Sequence, residues 1–221
     1  MIGLKKKIGC LHAHYSNIDY IESAFSAYDL ELSHYVDPGL IYRLKNDQVS
    51  EAEKKVKDQI EWIAQSGVDA ILITCTNYIA LLNQIEVNIP IIKIDEPYFE
   101  ALCKTEQPQT ILFTNPDTVS GTMVRLEQYA KKHQTSLDIE VRIIENTFEL
   151  IMSGKQEEYQ NVVCRYIMQL DSTRSVSVAQ LSMVAAAQQL EHETSKTIIN
   201  PLNTLVSSIV YQLNLQKIAE Q

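Results

Sequence analysis

Residues 70–77, Ala-Ile-Leu-Ile-Thr-Cys-Thr-Asn, contain the pattern from which the fold of this chain is predicted. Four apolar residues, Ala70 to Ile73, run without interruption toward Cys75 and two small hydrogen-bonding residues. Such a short apolar run is typical of a buried strand in a parallel sheet, with Cys75 at its carboxyl end. Because open α/β sheets bind their ligands at that edge, Cys75 is the first candidate functional residue.

A thiol at this position has an alternative explanation, since cysteine is often buried and then packs as a small hydrophobic group. We assign that inert role to Cys10, Cys103 and Cys164. Cys75 differs because backbone N–H groups at the start of a following helix favour its thiolate form. The four cysteines form no C-x-x-C pair and no metal-ligand spacing, which predicts reduced thiols in a cytoplasmic protein.

The overall composition excludes several classes of function. A formal net charge of -9 argues against a nucleic-acid partner. We find no apolar run long enough to span a membrane, and the one after Lys7 is too short for a signal peptide. We therefore expect a cytoplasmic protein without a membrane partner.

Predicted strands and helices alternate along the whole chain, which favours parallel sheets with right-handed crossovers. The predicted strands include Gln109–Phe113 and residues 176–183. The order of elements also repeats. Four positions of the first half match positions of the second half at separations between 103 and 108 residues. These pairs are Ile8 with Ile111, Val36 with Ile144, Cys75 with Ser182, and Asp95 with Asn200. The near-constant separation predicts a duplicated four-strand unit.

The duplication predicts an α/β protein of two small doubly wound lobes that face each other, each with a four-stranded parallel sheet flanked by helices. Eight strand–helix units can also close into a TIM barrel, but a repeat of four strands favours two separate lobes. We predict lobes at residues 1–98 and 99–201, with a C-terminal helix, 202–221, packing back on the first. A pseudo-twofold axis would place Cys75 and Ser182 on opposite sides of one cleft.

The chain resembles the cofactor-independent aspartate/glutamate racemase superfamily, which includes hydantoin racemases, maleate isomerases and arylmalonate decarboxylases. The resemblance covers essentially the whole chain. It rests on the two-lobe repeat, on Cys75-Thr76-Asn77 after a buried strand, and on the polar loop from Thr114 to Thr118. It implies two flavodoxin-like lobes, a homodimer, no cofactor, and an active site in the cleft between the lobes.

The resemblance also implies chemistry by two thiols. One thiolate removes the proton next to a substrate carboxylate, and the thiol opposite returns a proton to the other face. In this chain Ser182 stands at the place we match to the second thiol, and a serine hydroxyl without an adjacent base is a poor proton shuttle near neutral pH. We therefore predict Cys75 as the catalytic base or acid and Ser182 as its partner or hydrogen-bond donor.

Small polar residues near the predicted strand ends are candidates for binding the substrate carboxylate through side chains and N–H groups. Ordinary helix capping explains each of them singly almost as well. These residues are His14, Tyr15, Ser16 and Asn17 after the first strand, Thr76 and Asn77 after the third, and Thr114, Asn115 and Thr118 after the fifth.

A metal site at His12 and His14 is the last possibility that the pattern raises, because alternate residues of a strand share a face. The sequence shows no third ligand nearby, so we predict no metal. Three functions remain: a racemase or isomerase acting beside a carboxylate, a lyase of the arylmalonate-decarboxylase type, and a non-catalytic carboxylate binder. The resemblance places the single thiol of the decarboxylases in the second lobe, not at the position of Cys75.

Overall fold

The structure, a computed structural model, describes residues 5–39, 49–82, 85–194 and 196–218. Strands and helices alternate along them, as predicted. The strands are β1 (Lys6–His12), β2 (Leu30–Val36), β3 (Ala70–Ile73), β4 (Ile91–Lys93), β5 (Gln109–Phe113), β6 (Ile139–Ile143), β7 (Ser175–Val178) and β8 (Ile198–Ile199).

The helices have the following bounds: α1 (Asn17–Phe25), α2 (Val49–Ala64), α3 (Thr76–Ala80), α4 (Asp95–Cys103), α5 (Val119–Lys132), α6 (Phe148–Met152), α7 (Gln156–Met168), α8 (Val184–Thr194) and α9 (Pro201–Leu213). None of the described helices combines the length and apolar character that a membrane span requires.

The eight strands form two separate four-stranded sheets, in which every pairing is parallel. Their orders are β2-β1-β3-β4 and β6-β5-β7-β8, so the same order occurs twice. This order is that of a flavodoxin-like sheet, in which the chain changes direction between the first and third strands. The predicted α/β fold with two four-stranded parallel sheets is therefore confirmed.

The chain divides into two compact units. Met1–Glu96 and Leu205–Gln221 form the first, and Pro97–Thr204 form the second. In the first unit the last part of the chain returns to the turn after α1, where the N–H of Ile218 donates to the carbonyl oxygen of Ala27 at 2.8 Å.

The first sheet is built around β1 and β3, whose apolar residues are buried. Ala70, Ile71, Leu72 and Ile73 are all fully buried, as an uninterrupted apolar run predicts. Gly9 lets α2 approach β1 closely, because a Cβ atom at this position would lie 2.4 Å from Cγ2 of Ile63. Cys10, the next residue of β1, has its side chain on the opposite face.

The second sheet is covered on both faces. Ile111 and Phe113 of β5 pack with Tyr98, Phe99 and Leu102 of α4 and with Leu126 of α5. Leu112 of the same strand packs on the other face with residues of α7 and α8. Alternation along one buried strand thus divides the apolar core into two layers.

Several predicted elements are longer than those observed. The strand predicted over 176–183 ends at Val178, and residues Leu181–Met183 form a 3-10 turn. The predicted C-terminal helix ends at Leu213, because Asn214 has a left-handed backbone with φ of 50°. Residues 219–221 of that prediction lie outside the described residues.

Candidate functional site

Cys75 lies at the carboxyl edge of the first sheet, two residues after β3 and immediately before α3. Its backbone is extended, with φ of -112° and ψ of 119°, so the chain turns at Cys75 from strand into helix. Its side chain is a partly exposed thiol that forms no disulfide bond. The predicted position of Cys75 past a buried strand is confirmed, and its catalytic role stays a prediction.

A chain of hydrogen bonds runs from Thr74, the residue before Cys75, across the end of the sheet. Thr74 Oγ1 lies 2.8 Å from Nδ1 of His12, the last residue of β1. The other ring nitrogen of His12, Nε2, lies 2.8 Å from Nδ1 of His34 on β2. His34 Nε2 lies 2.9 Å from a carboxylate oxygen of Glu22 on α1.

The protons of this chain can be assigned from its exposed end. With Glu22 ionised, His34 Nε2 must donate to it, so that Nδ1 of a neutral His34 is an acceptor. His12 then donates from Nε2 to His34 and accepts the hydroxyl proton of Thr74 at Nδ1. Burial lowers the pKa of His12 to about 4, and repulsion between the protonated forms of His12 and His34 is the second cause, so His12 is neutral near pH 7.

The loop after β1, together with Asn17 at the start of α1, contains four of the predicted substrate-binding residues. Asn17 donates from Nδ2 to Thr74 Oγ1 at 3.2 Å, which joins this loop to the residue beside Cys75. His14 Nδ1 instead accepts the N–H of Ser16 at 3.2 Å and lies 2.7 Å from its hydroxyl. The ring of Tyr15 is largely exposed and lies against His14, with 4.4 Å between ring centroids.

Helix α3, which begins with the predicted residues Thr76 and Asn77, is anchored by Tyr78. Thr76 and Asn77 are partly buried, whereas Tyr78 is fully buried and its hydroxyl donates to the carbonyl oxygen of Asp37. Burial, together with nearby Asp37 and Cys75, raises the pKa of Tyr78, so this phenol stays protonated. The backbone that carries Cys75 is thereby held to the end of β2.

The carboxyl edge of the second sheet is organised by Gln180, a residue that is not among the candidates predicted from the sequence. Gln180 Oε1 accepts hydrogen bonds from the N–H of Thr114 at 2.7 Å, the Thr114 hydroxyl at 2.8 Å and the N–H of Asn115 at 3.1 Å. Its Nε2 donates to Thr118 Oγ1 at 3.3 Å. Gln180 thus brings together Thr114, Asn115 and Thr118, the three predicted residues of this loop.

Ser182 belongs to a second set of hydroxyl groups in this unit. Its Oγ lies 2.8 Å from Oη of Tyr159, a buried residue of α7. The same phenol lies 3.0 Å from Oγ1 of Thr114. Ser182 is partly exposed, so this row of hydroxyls connects a buried phenol with an accessible serine.

Comparison with solved structures identifies the fold. The aspartate racemase of Picrophilus torridus is 12% identical and has a TM-score of 0.73, with 96% of each chain covered. The allantoin racemase of Klebsiella pneumoniae is 21% identical over 96% of this chain and 90% of its own, with a TM-score of 0.63. The chain has the fold of the aspartate/glutamate racemases. No protein-family model and no curated protein sequence matches it.

A third similar structure contains a ligand. The glutamate racemase of Francisella tularensis, in complex with D-glutamate, is 13% identical over 95% of this chain and 82% of its own, with a TM-score of 0.64. The racemase fold therefore extends over nearly the whole chain, although the sequences have diverged widely.

Within the racemase fold, Gln180 and not Ser182 occupies the backbone position that matches Cys75. The N–H of Thr74 donates to Leu11 on β1, and the N–H of Ala179 donates to Leu112 on β5 in the same way. Cys75 and Gln180 are the next residues, both extended and both preceding a helical turn. The match of Cys75 with Ser182 was wrong by two residues because it assumed that β7 continues to Met183.

This chain thus has different groups at the matching strand ends of its two units, a thiol in the first unit and an amide in the second. A thiol can accept and release a proton near neutral pH, whereas an amide cannot. The sequence does contain a pattern that indicates Gln180. Gln180 lies two residues after the alternating segment 175–178, as Cys75 lies two residues after β3. The contacts of His34, Glu22 and Tyr159 have no such local signal, because their partners are distant in sequence.

Proposed function

We propose that the protein is a cofactor-independent isomerase of the aspartate/glutamate racemase superfamily. In this proposal Cys75 removes or returns the proton on the carbon next to the carboxylate of a small amino or dicarboxylic acid. The observation that carries it is the placement of a partly exposed thiol two residues after β3, a buried inner strand of a sheet with the racemase fold. Ligands of such sheets bind at this edge.

The proposed substrate class follows from the groups around Cys75 and from similar proteins. Asn17, Thr76 and Asn77 supply amide and hydroxyl groups of the kind that bind a carboxylate, and His12 is uncharged near pH 7. Of the three similar structures described above, one is an aspartate racemase and another is a glutamate racemase in complex with D-glutamate. An α-amino dicarboxylic acid is therefore the first substrate to test, followed by allantoin and other hydantoins.

The second proton-transfer group is not a thiol in this proposal. Gln180 has no titratable proton, and its amide is engaged by the loop from Thr114 to Thr118. Ser182 remains our predicted partner, acting through Tyr159, because a phenol releases a proton far more readily than an aliphatic alcohol. Thr114, Asn115 and Thr118 remain predicted carboxylate-binding residues.

A lyase is the alternative that the amide at Gln180 specifically favours. Decarboxylation of a malonate-type acid leaves an enediolate, and only one protonated group is needed to quench it. Cys75 can supply this proton alone, whereas two-base racemisation requires a base on one face of the carbon and a proton donor on the other. A protein that binds a small carboxylate without converting it is the remaining alternative.

The test is exchange of the α-proton in deuterium oxide. Aspartate, glutamate, allantoin and phenylmalonate would each be incubated with the protein, and the α-proton signal, the optical rotation and released carbon dioxide would be measured. Cys75→Ala is expected to abolish the reaction. Cys103→Ala, which removes another partly buried thiol, is the matched control and should leave it unchanged.

The outcomes separate the alternatives. Deuterium incorporation with loss of optical rotation supports the isomerase, and carbon dioxide release supports the lyase. Thermal stabilisation by a carboxylate without turnover supports the binder; a ligand at 100 times its dissociation constant should contribute about 2.7 kcal/mol. A reaction that survives in Cys75→Ala would refute the assignment of Cys75.

A further inference from the structure

Three side chains with metal-binding atoms converge on one face of the first sheet. Cys10 and His12 alternate along β1 and therefore share a face, and His34 is the partner of Cys10 in the register of β1 with β2. One ligand atom from each residue lies within 4.8 Å of those of the other two. Cys10 and His12 are fully buried, so this group differs from the exposed acidic clusters common on protein surfaces.

Both imidazoles are oriented by partners at their outer nitrogens. His34 Nε2 is held by the carboxylate of Glu22, and His12 Nδ1 is held by Thr74 Oγ1. The inner nitrogens, His12 Nε2 and His34 Nδ1, are thus directed at each other across 2.8 Å. Metal-binding histidines are oriented in this way, with the nitrogen remote from the metal bonded to a carboxylate or another oxygen.

We propose that Cys10, His12 and His34 bind a zinc-type divalent cation through Cys10 Sγ, His12 Nε2 and His34 Nδ1. A thiolate with two imidazoles suits Zn²⁺ or Co²⁺ and disfavours Mg²⁺ and Ca²⁺, which prefer oxygen ligands. Three protein ligands leave a fourth tetrahedral position for water or a small anion. This inference does not depend on the proposed activity at Cys75.

Binding of the divalent cation releases one proton from the protein. The metal replaces the thiol proton of Cys10, which passes to solvent, and a metal–sulfur bond forms. His34 keeps its proton on Nε2 toward Glu22, whereas the proton of His12 moves from Nε2 to Nδ1. No oxidation or reduction is involved.

The surroundings of Thr74 accommodate the changed tautomer of His12. His12 Nδ1 becomes a donor to Thr74 Oγ1, which also accepts from Asn17 Nδ2 at 3.2 Å. The Thr74 hydroxyl can then donate to the carbonyl oxygen of Leu11 at 3.4 Å. Every hydrogen-bonding group around His12 therefore retains a partner after the metal binds.

A route to the site exists on the side of α1. The side chain of His34 is 13% exposed, and that of Glu22, its partner, is 55% exposed. A cation arriving from solvent first meets this carboxylate, whose negative charge attracts it. The Cys10 thiol lies deeper and is reached last.

The test uses the full-length protein after dialysis against a chelator, titrated with Co²⁺ and then with Zn²⁺. Binding of one Co²⁺ per chain is expected, with the thiolate-to-cobalt charge-transfer absorption of a single cysteine ligand, and Zn²⁺ should displace it. Cys10→Ser should abolish this absorption. Glu22→Gln, on the exposed side of the site, should weaken binding by about 10- to 100-fold through its effect on His34.

Matched controls are Cys164→Ser, another buried thiol, and His133→Gln, an exposed histidine, and both should bind Co²⁺ as the parent protein does. Nuclear magnetic resonance of ¹¹³Cd bound to the parent protein provides a readout without mutation, and one sulfur and two nitrogen ligands are expected. Absence of a charge-transfer band, or a band lost in Cys75→Ala but retained in Cys10→Ser, would overturn the proposal. His12 and His34 would then be a hydrogen-bonded pair only.

Discussion

Gln180 binds both hydrogen-bond donors of Thr114, because its Oε1 accepts the Thr114 N–H at 2.7 Å and the Thr114 hydroxyl at 2.8 Å. One amide oxygen therefore replaces the hydrogen-bonding partners that the loop after β5 would otherwise need from water or a ligand. In the first unit, Asn17 Nδ2 donates to Thr74 Oγ1 at 3.2 Å and so connects the segment after β1 to the residue before Cys75.

Replacing Gln180 by Ala should destabilise the second unit. The buried N–H of Thr114 would lose its acceptor, which typically costs about 1–3 kcal/mol, whereas the Thr114 hydroxyl keeps Tyr159 Oη as a partner at 3.0 Å. Thermal unfolding should show a lower Tm, by roughly 2–4 °C per kcal/mol for a chain of this size. Thr118→Ala is the control, because it removes the acceptor of Gln180 Nε2 and the donor to the carbonyl oxygen of Asn115 but leaves the contacts of Oε1 in place. It should have a smaller effect, and an equal effect would contradict the role assigned to Oε1.

Replacing Tyr159 by Phe should separate Ser182 from its proton source while leaving the fold intact. Thr114 keeps its bond to Gln180 and Ser182 is accessible to water, so the expected loss of stability is about 1 kcal/mol. Once a substrate is found, kcat should fall more than KM rises, because we propose that the phenol acts on proton transfer. Tyr211→Phe, at a largely exposed residue, should change neither quantity, and unchanged kcat in Tyr159→Phe would remove this role.

Two glycine substitutions should have opposite effects on stability. Gly9→Ala would place a Cβ atom against the buried side chain of Ile63, so we expect a loss of about 1–3 kcal/mol. The loss should be smaller in an Ile63→Ala background, which a double-mutant cycle measures. Gly121→Ala, in α5 with open space around it, should instead stabilise by about 0.5–1 kcal/mol.

The stability contributed by Asp69 should disappear in acid. The N–H of Lys7 at 2.8 Å and the ammonium group of Lys6 at 3.0 Å hold the pKa of Asp69 below its ordinary value. A lowered pKa means that the folded protein favours the ionised form. The contribution is therefore present above the ordinary pKa of about 4 and is lost as the pH falls further.

Asp69→Asn keeps an oxygen acceptor for the N–H of Lys7 and removes the charge. Urea unfolding at pH 6 should show the parent protein to be more stable by less than about 1 kcal/mol, since the pair is partly exposed. The difference should vanish toward pH 3. Asp58→Asn, at an exposed position of α2, serves as the control, and a difference that grows in acid would contradict the sign.

The strands of the second sheet show how well local sequence patterns predict where a strand begins and ends. The strand predicted over Gln109–Phe113 has the same bounds in the structure, because five consecutive residues are buried there. The strand predicted over 176–183 was too long, because Ala179 and Leu181 continue an apolar pattern after strand pairing has ended. Burial follows from composition, whereas the end of a strand depends on its neighbours.

The sequence by itself determined the two parallel α/β units and the place of Cys75, because short apolar runs and their spacing reflect local burial. Only the tertiary structure decided which group faces Thr114 and Asn115, since the side chain of Gln180 reaches a loop more than sixty residues away along the chain. It also decided that Cys10, His12 and His34 meet. The register of β1 with β2 sets that contact, and register arises from the packing of whole strands.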